Sequence, residues 1–369
     1  MSATLNSRPA ADGFYMPAEF VSHDGCWMIW PERPDNWRLG AKPAQAAFVD
    51  VATAISATEP VTIAVSSRQF RNARSRLPAR VRLLEMSSDD SWMRDVGPTF
   101  VIDRRGRRRA VDWEFNAWGG LEKGLYFPWD LDAAVAAKVC DAERTDRYRA
   151  PFILEGGSIH VDGQGTLLTT EECLLNPNRN PRLTRAELET LLADYLGIQT
   201  VIWLGRGVLN DETDGHVDNL CCFSAPGEVC LTWTNDRGDP QYEISREAYE
   251  RLAGARDARG RALKIHRLVQ PGPLRMTDEE AAGVDGGSDA APRRGGHRLA
   301  GSYVNFYLAN RQVVMPLLDR RRDAAAAAVL RRAFPTRRVV GVPAREILLG
   351  GGNIHCITQQ VPRAAVRRR

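Results

Sequence analysis

Apolar positions recur at helical spacing in five stretches, each built from good helix formers. They are PAQAAFVDVATAIS from Pro43, LDAAVAAKVCDAE from Leu131, TRAELETLLADYLG from Thr184, EISREAYERLAG from Glu243 and RRDAAAAAVLRRAF from Arg321. The third carries its own start and stop: Thr184 with Glu187 three residues on is a capping box, and Gly197 ends the pattern. Short β-branched runs follow the helices, among them VTIAV, TVIWLG, LKIHRLV and RRVVGV. The chain therefore alternates strand and helix throughout, which places it in the α/β class.

A second pattern overlies the first. HDGCWMIW from His23, RDVGPTFVI from Arg94, EGGSIHVD from Glu155, DGHVDNLCCF from Asp214 and GGGNIHCIT from Gly350 each combine polar residues and glycine before an apolar run. Gly25, Gly97, Gly157 and Gly215 are separated by 72, 60 and 58 residues. The longer gap to Gly352 holds AGSYVNFYLANRQVVMP, another two-strand unit. About five strand–strand–helix–strand modules follow from this, with the last glycine-led strand free to pair with N-terminal strands and close a ring. An ordinary open α/β sheet is the simpler alternative. Residues 1–369 read as one domain, with GVDGGSDAAPRRGG at 283–296 as a mobile surface insertion and a basic tail at 363–369.

Composition narrows the function. A net charge of +4 on 369 residues is small, and the basic runs lack an aromatic-interleaved face, so nucleic acid is not an expected partner. Seven cysteines with no CxxC pair fit a reducing compartment, and neither an apolar leader nor a membrane-length run is seen. The expected location is cytoplasmic, without a membrane partner.

The candidate chemistry sits at the glycine motifs. Cys356 follows Gly350–Gly352, and Asn353 to Thr358 reads as a short strand. A buried cysteine is usually only a small hydrophobe. As a nucleophile it needs a base or cationic neighbour. On a strand His355 would face away from it. His216 is the better partner, lying among Asp211, Glu212, Asp214 and Asp218, and on a strand His216 and Asp218 share a face. Taken alone, H-x-D is equally a metal-site fragment or a surface histidine. Trp92 and Asp95 flank Arg94, and Glu155 precedes two glycines. A thiol, an imidazole, several carboxylates and an indole suit a planar cation: paired carboxylates grip a guanidinium and the indole covers its face. Zinc-site spacings are absent, and the triple glycine leads into a strand rather than the helix a dinucleotide loop requires.

The motifs CWMIWPERPDNWRLGAKPAQAAF, DDSWMRDVGPTFV, FNAWGGL, LEGGSIHVDGQGTLLTTEECLLNPNRNP, NDETDGHVDNLCCF, SYVNFYLAN and REILLGGGNIHCITQQ, in this order from about Met16 to Pro362, resemble the agmatine deiminases. This is a branch of the guanidino-group-modifying pentein superfamily. The resemblance implies a five-bladed α/β propeller (ββαβ modules around a central site) and a homo-oligomer, a dimer first. It implies hydrolysis of agmatine to N-carbamoylputrescine and ammonia through a Cys-linked thiouronium, in putrescine and polyamine metabolism, without cofactor or metal. By motif it makes Cys356 the nucleophile, His216 the general acid/base and Glu155 its orienting carboxylate. Asp95 and Asp218 would hold the guanidinium, Trp92 would line the pocket, and Glu212 would meet the distal amine. Glu114, Arg311 and the 283–296 segment depart from the pattern. A relative acting on free or peptidyl arginine would need a cation for the carboxylate, for which Arg94 and Arg206 are the residues to consider. An amidinotransferase and a non-catalytic guanidine sensor are the remaining alternatives.

Overall fold

In the computed structural model, which describes residues 2–287 and 290–364, the helices and strands group into repeating units. One unit shows the plan. Cys221–Ala225 and Glu228–Trp233 form an antiparallel pair, and helix Gln241–Gly254 then carries the chain to Lys264–Val269, parallel to the middle strand. Thr99–Asp103, Arg108–Glu114 and Arg147–Ile153 repeat it, as do His160–Val161, Thr166–Thr170 and Thr200–Leu204, and Tyr307–Ala309, Gln312–Leu317 and Arg338–Pro343. The fifth unit draws on both ends of the chain: Gln359–Pro362 pairs antiparallel with His23–Ile29, which runs parallel to Val61–Val65 after helix Lys42–Ile55. Five sheets result, and the fold is the five-bladed α/β propeller. The ring closes as the glycine-led pattern suggests.

Local sequence explains the blade helices. Thr184 accepts from the Glu187 amide while the Glu187 side chain accepts from Thr184, and Gly197 caps the other end at φ 70°. Helix Asp323–Ala333 buries Ala326, Leu330 and Ala333, one stripe at helical spacing, against the Leu308, Val313 and Met315 side of its own sheet. The stretch from Leu131 is two pieces, Asp130–Ala133 and Val135–Ala142. Among the described residues no helix is long and apolar enough to cross a membrane.

Two expectations at the centre are corrected. Asn353 to Thr358 is a chain of turns, and the strand begins only at Gln359. The Asn353 carboxamide accepts from the Ile354 amide at 3.0 Å, and the Thr358 hydroxyl donates to the Ile354 and His355 carbonyls at 2.9 and 3.0 Å. Such local bonds compete successfully with a ladder. Likewise His216 precedes a one-turn helix, Val217–Leu220, rather than lying on a strand. Asp95 too sits in a single helical turn, Met93–Val96.

Candidate active site

The turns that precede the first strands of the blades converge at the ring centre and line a cavity. Trp92, Asp95, Glu212 and Cys356 form part of its wall. His216, Asp218 and Glu155 stand directly behind it: Asp218 Oδ2 is 3.6 Å from Cys356 Sγ, His216 Nδ1 is 3.8 Å from Asp95 Oδ2, and His216 Nε2 is 3.7 Å from Glu155 Oε2. All the residues assigned from sequence are therefore brought together.

Glycines make this density possible. A Cβ on Gly157 would lie 2.5 Å from His216 Nδ1 and 3.0 Å from both Asp95 Oδ1 and Asp218 Oδ2. The triple glycine runs along three walls in succession: added Cβ atoms would meet Trp37 from Gly350, Glu212 Oε2 from Gly351 and Trp92 from Gly352, at 2.4, 2.6 and 2.5 Å. Gly351 also takes φ +110°, which a side chain would oppose.

Each functional group is held from behind. Asp95 accepts from the Gly157 amide at 2.8 Å and from the Trp118 indole at 3.0 Å. Glu155 accepts from Arg179 Nε at 2.6 Å, both side chains wholly buried. Asp218 Oδ2 pairs with His355 Nδ1 at 2.8 Å, and His355 Nε2 meets Glu19 at 2.9 Å. Asn305 Nδ2 donates to Cys356 Sγ at 3.2 Å, while its oxygen accepts from the His355 amide at 2.9 Å. Trp92 is pinned by its indole N–H to Asp90 at 2.9 Å and stacks on Trp37 at 5.1 Å.

Motif reading left Arg179, Trp118, Asn305, His355, Glu19 and Arg293 without roles. The first three stand in NPNRNP, FNAWGG and SYVNFY, stretches whose density of polar and aromatic residues was the available signal. The segment 283–296, expected as a surface insertion, contributes Ala290, Ala291 and Arg293 to the cavity wall. Ser288 and Asp289 within it, and 365–369 of the expected basic tail, lie outside the described residues. Arg94 and Arg206 do not line the cavity. Arg94 is buried against Glu19 and Gln360, and Arg206 pairs with Glu247 at the surface.

Charge is tuned by this packing. Burial pushes the Asp95 carboxyl up to about 6 despite the pull of His216. Against the same burial, Arg179 and His216 hold Glu155 down to about 2. Burial also opposes charge on His216, yet Asp95, Cys173 and Glu155 raise it well above the ordinary imidazole range. The Cys356 thiol is pushed well above its usual range by burial and then by Asp218 and Asp95. Two buried groups carry metal-ligating atoms within 4.8 Å of one another, Glu19–His160–His355 and Glu155–Cys173–His216. In each a guanidinium already neutralises the carboxylate, Arg94 on Glu19 and Arg179 on Glu155, so a dication would meet repulsion.

Of the six buried carboxylate oxygens without a donor among the described residues, three belong to this site: Glu155 Oε2, which faces His216, Asp218 Oδ1, on the carboxylate that touches the thiol, and Glu212 Oε2 on the cavity wall. Unpaired buried acceptors are costly, and Glu212 Oε2, on a cavity-wall side chain, is left to accept from a group that enters the cavity.

Comparison with known proteins agrees with the geometry. Residues 15–362 match the model of the Porphyromonas-type peptidyl-arginine deiminases. The agmatine deiminase of Ectopseudomonas mendocina is 58% identical over 97% of this chain and 98% of its own length. That of Pseudomonas aeruginosa strain LESB58 is 59% identical over 96% and 97%. The solved agmatine deiminase of Enterococcus faecalis superposes with a TM-score of 0.95 at 49% identity, covering 98% of this chain and all of that one.

Proposed function

The chain belongs to the Porphyromonas-type peptidyl-arginine deiminase family, and we propose that within it this enzyme hydrolyses agmatine to N-carbamoylputrescine and ammonia. The observation that carries the substrate is two donor-less oxygens, Glu212 Oε2 on the wall and Asp218 Oδ1, whose companion Oδ2 is 3.6 Å from the thiol. Agmatine is a cation at both ends. Its guanidinium suits Asp95 and Asp218, its ammonium suits Glu212, and Trp92 covers the planar end.

The chemistry follows from the charges. In the free site burial, then Asp218 and Asp95, hold the thiol protonated. A bound guanidinium neutralises both carboxylates, so substrate itself favours the thiolate, and the thiol proton passes to solvent as substrate binds. Cys356 Sγ attacks the guanidino carbon and forms the C–S bond. The C=N electron pair moves to nitrogen. His216, charged in the free site, donates its proton to the departing nitrogen, the C–N bond breaks and ammonia leaves. In the thiouronium that remains, neutral His216 takes a proton from water as its oxygen bonds the same carbon. The C–S bond then breaks, the proton of the added hydroxyl passes to solvent, and the ureido product and the thiolate remain. Glu155, ionised down to about pH 2, keeps His216 oriented and stabilises its charged form. No step calls on a metal or organic cofactor.

Seven unpaired, buried cysteines suit a reducing cytoplasm. A homo-oligomer, a dimer first, completes the reading, and sedimentation equilibrium measures it directly.

The test is ammonia release with agmatine, free arginine and a peptide arginine side by side, with EDTA present. Release from agmatine alone is expected. Equal or greater release from an arginine substrate overturns the assignment, and tight agmatine binding without ammonia points to a sensor.

A further inference from the structure

Arg293 comes from the segment that reads as a surface insertion, yet its side chain is only 8% exposed. Its guanidinium joins three parts of the cavity wall. Nη1 donates to Glu212 Oε1, while Nη2 donates to Asn36 Oδ1 at 2.7 Å and to the Gly350 carbonyl at 2.7 Å. Those acceptors come from the loop before His216, the segment before helix Lys42–Ile55, and the triple-glycine turn. The consequence falls on Glu212. One oxygen is committed to Arg293, whereas Oε2 is buried and bare. Gly351 leaves the space beside that oxygen unfilled, since a Cβ there would lie 2.6 Å from it.

We propose that Arg293 is the positioning residue for substrate specificity: it clamps Glu212 by one oxygen so that the other faces the distal ammonium. This rests on the reading of Glu212 as the amine's partner. A flexible glutamate could swing toward solvent or fold onto its own loop. The fork of Arg293, anchored at two further points, removes that freedom before substrate arrives. The same arrangement disfavours free arginine, whose carboxylate would face the bare carboxylate oxygen while the guanidinium beside it is already engaged. A lysine cannot reproduce three directed bonds in a plane.

The opposite reading makes Arg293 an occupant of the amine's place, which must leave before agmatine enters. The two readings predict opposite signs. Arg293→Met, Arg293→Lys and Glu212→Gln are each assayed on agmatine and on n-butylguanidine, which has the same chain but no amine. A hydrogen bond to a charged group corresponds to roughly a 10- to 100-fold effect. Arg293→Met should therefore raise KM for agmatine by about that factor with a much smaller change in kcat. The agmatine-to-butylguanidine ratio of kcat/KM should fall in parallel. Arg293→Lys should recover only part of the ratio, and Arg293→Met should add little in a Glu212→Gln background.

A lowered KM in Arg293→Met establishes the occupant reading and overturns the clamp. Equal loss on both substrates also overturns it, because general damage to the cavity would look that way. If Glu212→Gln lowers the ratio but Arg293→Met does not, the clamp alone fails. If Glu212→Gln leaves the ratio unchanged, the assignment of Glu212 fails and takes the clamp with it.

Discussion

At the scale of single residues, the free site holds its proposed nucleophile in the protonated form. Burial, Asp218 and Asp95 all oppose a Cys356 thiolate, and a bound cation removes the last two. A neutral alkylator such as iodoacetamide should therefore react sluggishly with Cys356 at neutral pH. A haloacetamidine of matched leaving group carries its own cation and should react at least 10-fold faster, since one pKa unit of relief is a factor of ten. Equal second-order rates would show that the thiolate is present before any cation arrives. Cys356→Ser should retain the fold and lose all measurable turnover. The proposed role of Asp95 predicts the acid limb. With its carboxyl raised to about 6, it takes up a proton as pH falls through that value and loses its hold on the guanidinium. The kcat/KM for agmatine, which reports the free enzyme, should then decline about tenfold per pH unit below that point. Glu155, held to about 2, contributes nothing in that window. Asp95→Asn should lower kcat/KM by a hundredfold or more, because one partner of a desolvated charge pair is gone. It should also flatten the acid limb, and a wild-type profile flat from pH 7 to 5 would remove Asp95 from the role.

At the scale of elements, what the sequence discloses depends on how local the cause is. The capping box at Thr184, the helical stripe ending at Ala333 and the glycine-led strands each have their causes within a few residues, so their positions were legible. The turns at 353–358 and the helix after His216 were misread because side-chain hydrogen bonds to nearby backbone, such as the His216 amide to the Thr213 hydroxyl at 3.4 Å, override an apolar run that resembles a strand. The supporting shell left still less trace. His355 and Glu19 are 336 positions apart, and Arg293 and Asn36 are 257 apart. No periodicity in one sequence joins such pairs. Cys356, His216, Glu155, Asp95 and Asp218 were legible because they stand at recurring glycine motifs, and the glycines are there because the site admits no Cβ. Gly352→Ala tests that cause. The new methyl would sit 2.5 Å from the Trp92 ring and 3.1 Å from Cys356 Cβ, and Trp92 cannot retreat from Asp90 and Trp37. A displacement of about 1 Å at a reacting group is worth roughly 100-fold in rate, so kcat/KM should fall at least that far. Gly254→Ala is the control, with nothing within 4 Å of its added Cβ. Similar activity in the two variants would show that the close approach does not shape the site.

At the scale of the whole molecule, the active site is a property of ring closure. Asp95, Glu155, Asp218 and Cys356 each stand in the turn before the first strand of a different blade, with Asn305 in the same position in the remaining one. A five-blade ring thus delivers five such positions to one point, and no blade alone holds a working set. The strand that follows Cys356 joins its blade through the pairing of Gln359–Pro362 with His23–Ile29. The closing strand is tied to its neighbours as well: Gln359 donates to the Pro98 carbonyl at 3.0 Å, and Gln360 accepts from Arg94 at 2.7 Å. Arg94 in turn holds Glu19, so opening the ring would leave a buried guanidinium and carboxylate short of partners. A chain ending at Thr358 retains every proposed catalytic side chain but lacks this closure. It should lose activity completely and unfold at a temperature lower by about 10 °C or more, the shift expected for the loss of several kcal/mol. Gln360→Leu keeps the strand and removes only the Arg94 contact, so its loss of stability should be smaller while turnover survives. Calorimetry and ammonia release on the two variants separate the causes. A truncated chain with wild-type melting and turnover would mean that the other four blades hold Cys356 in place unaided.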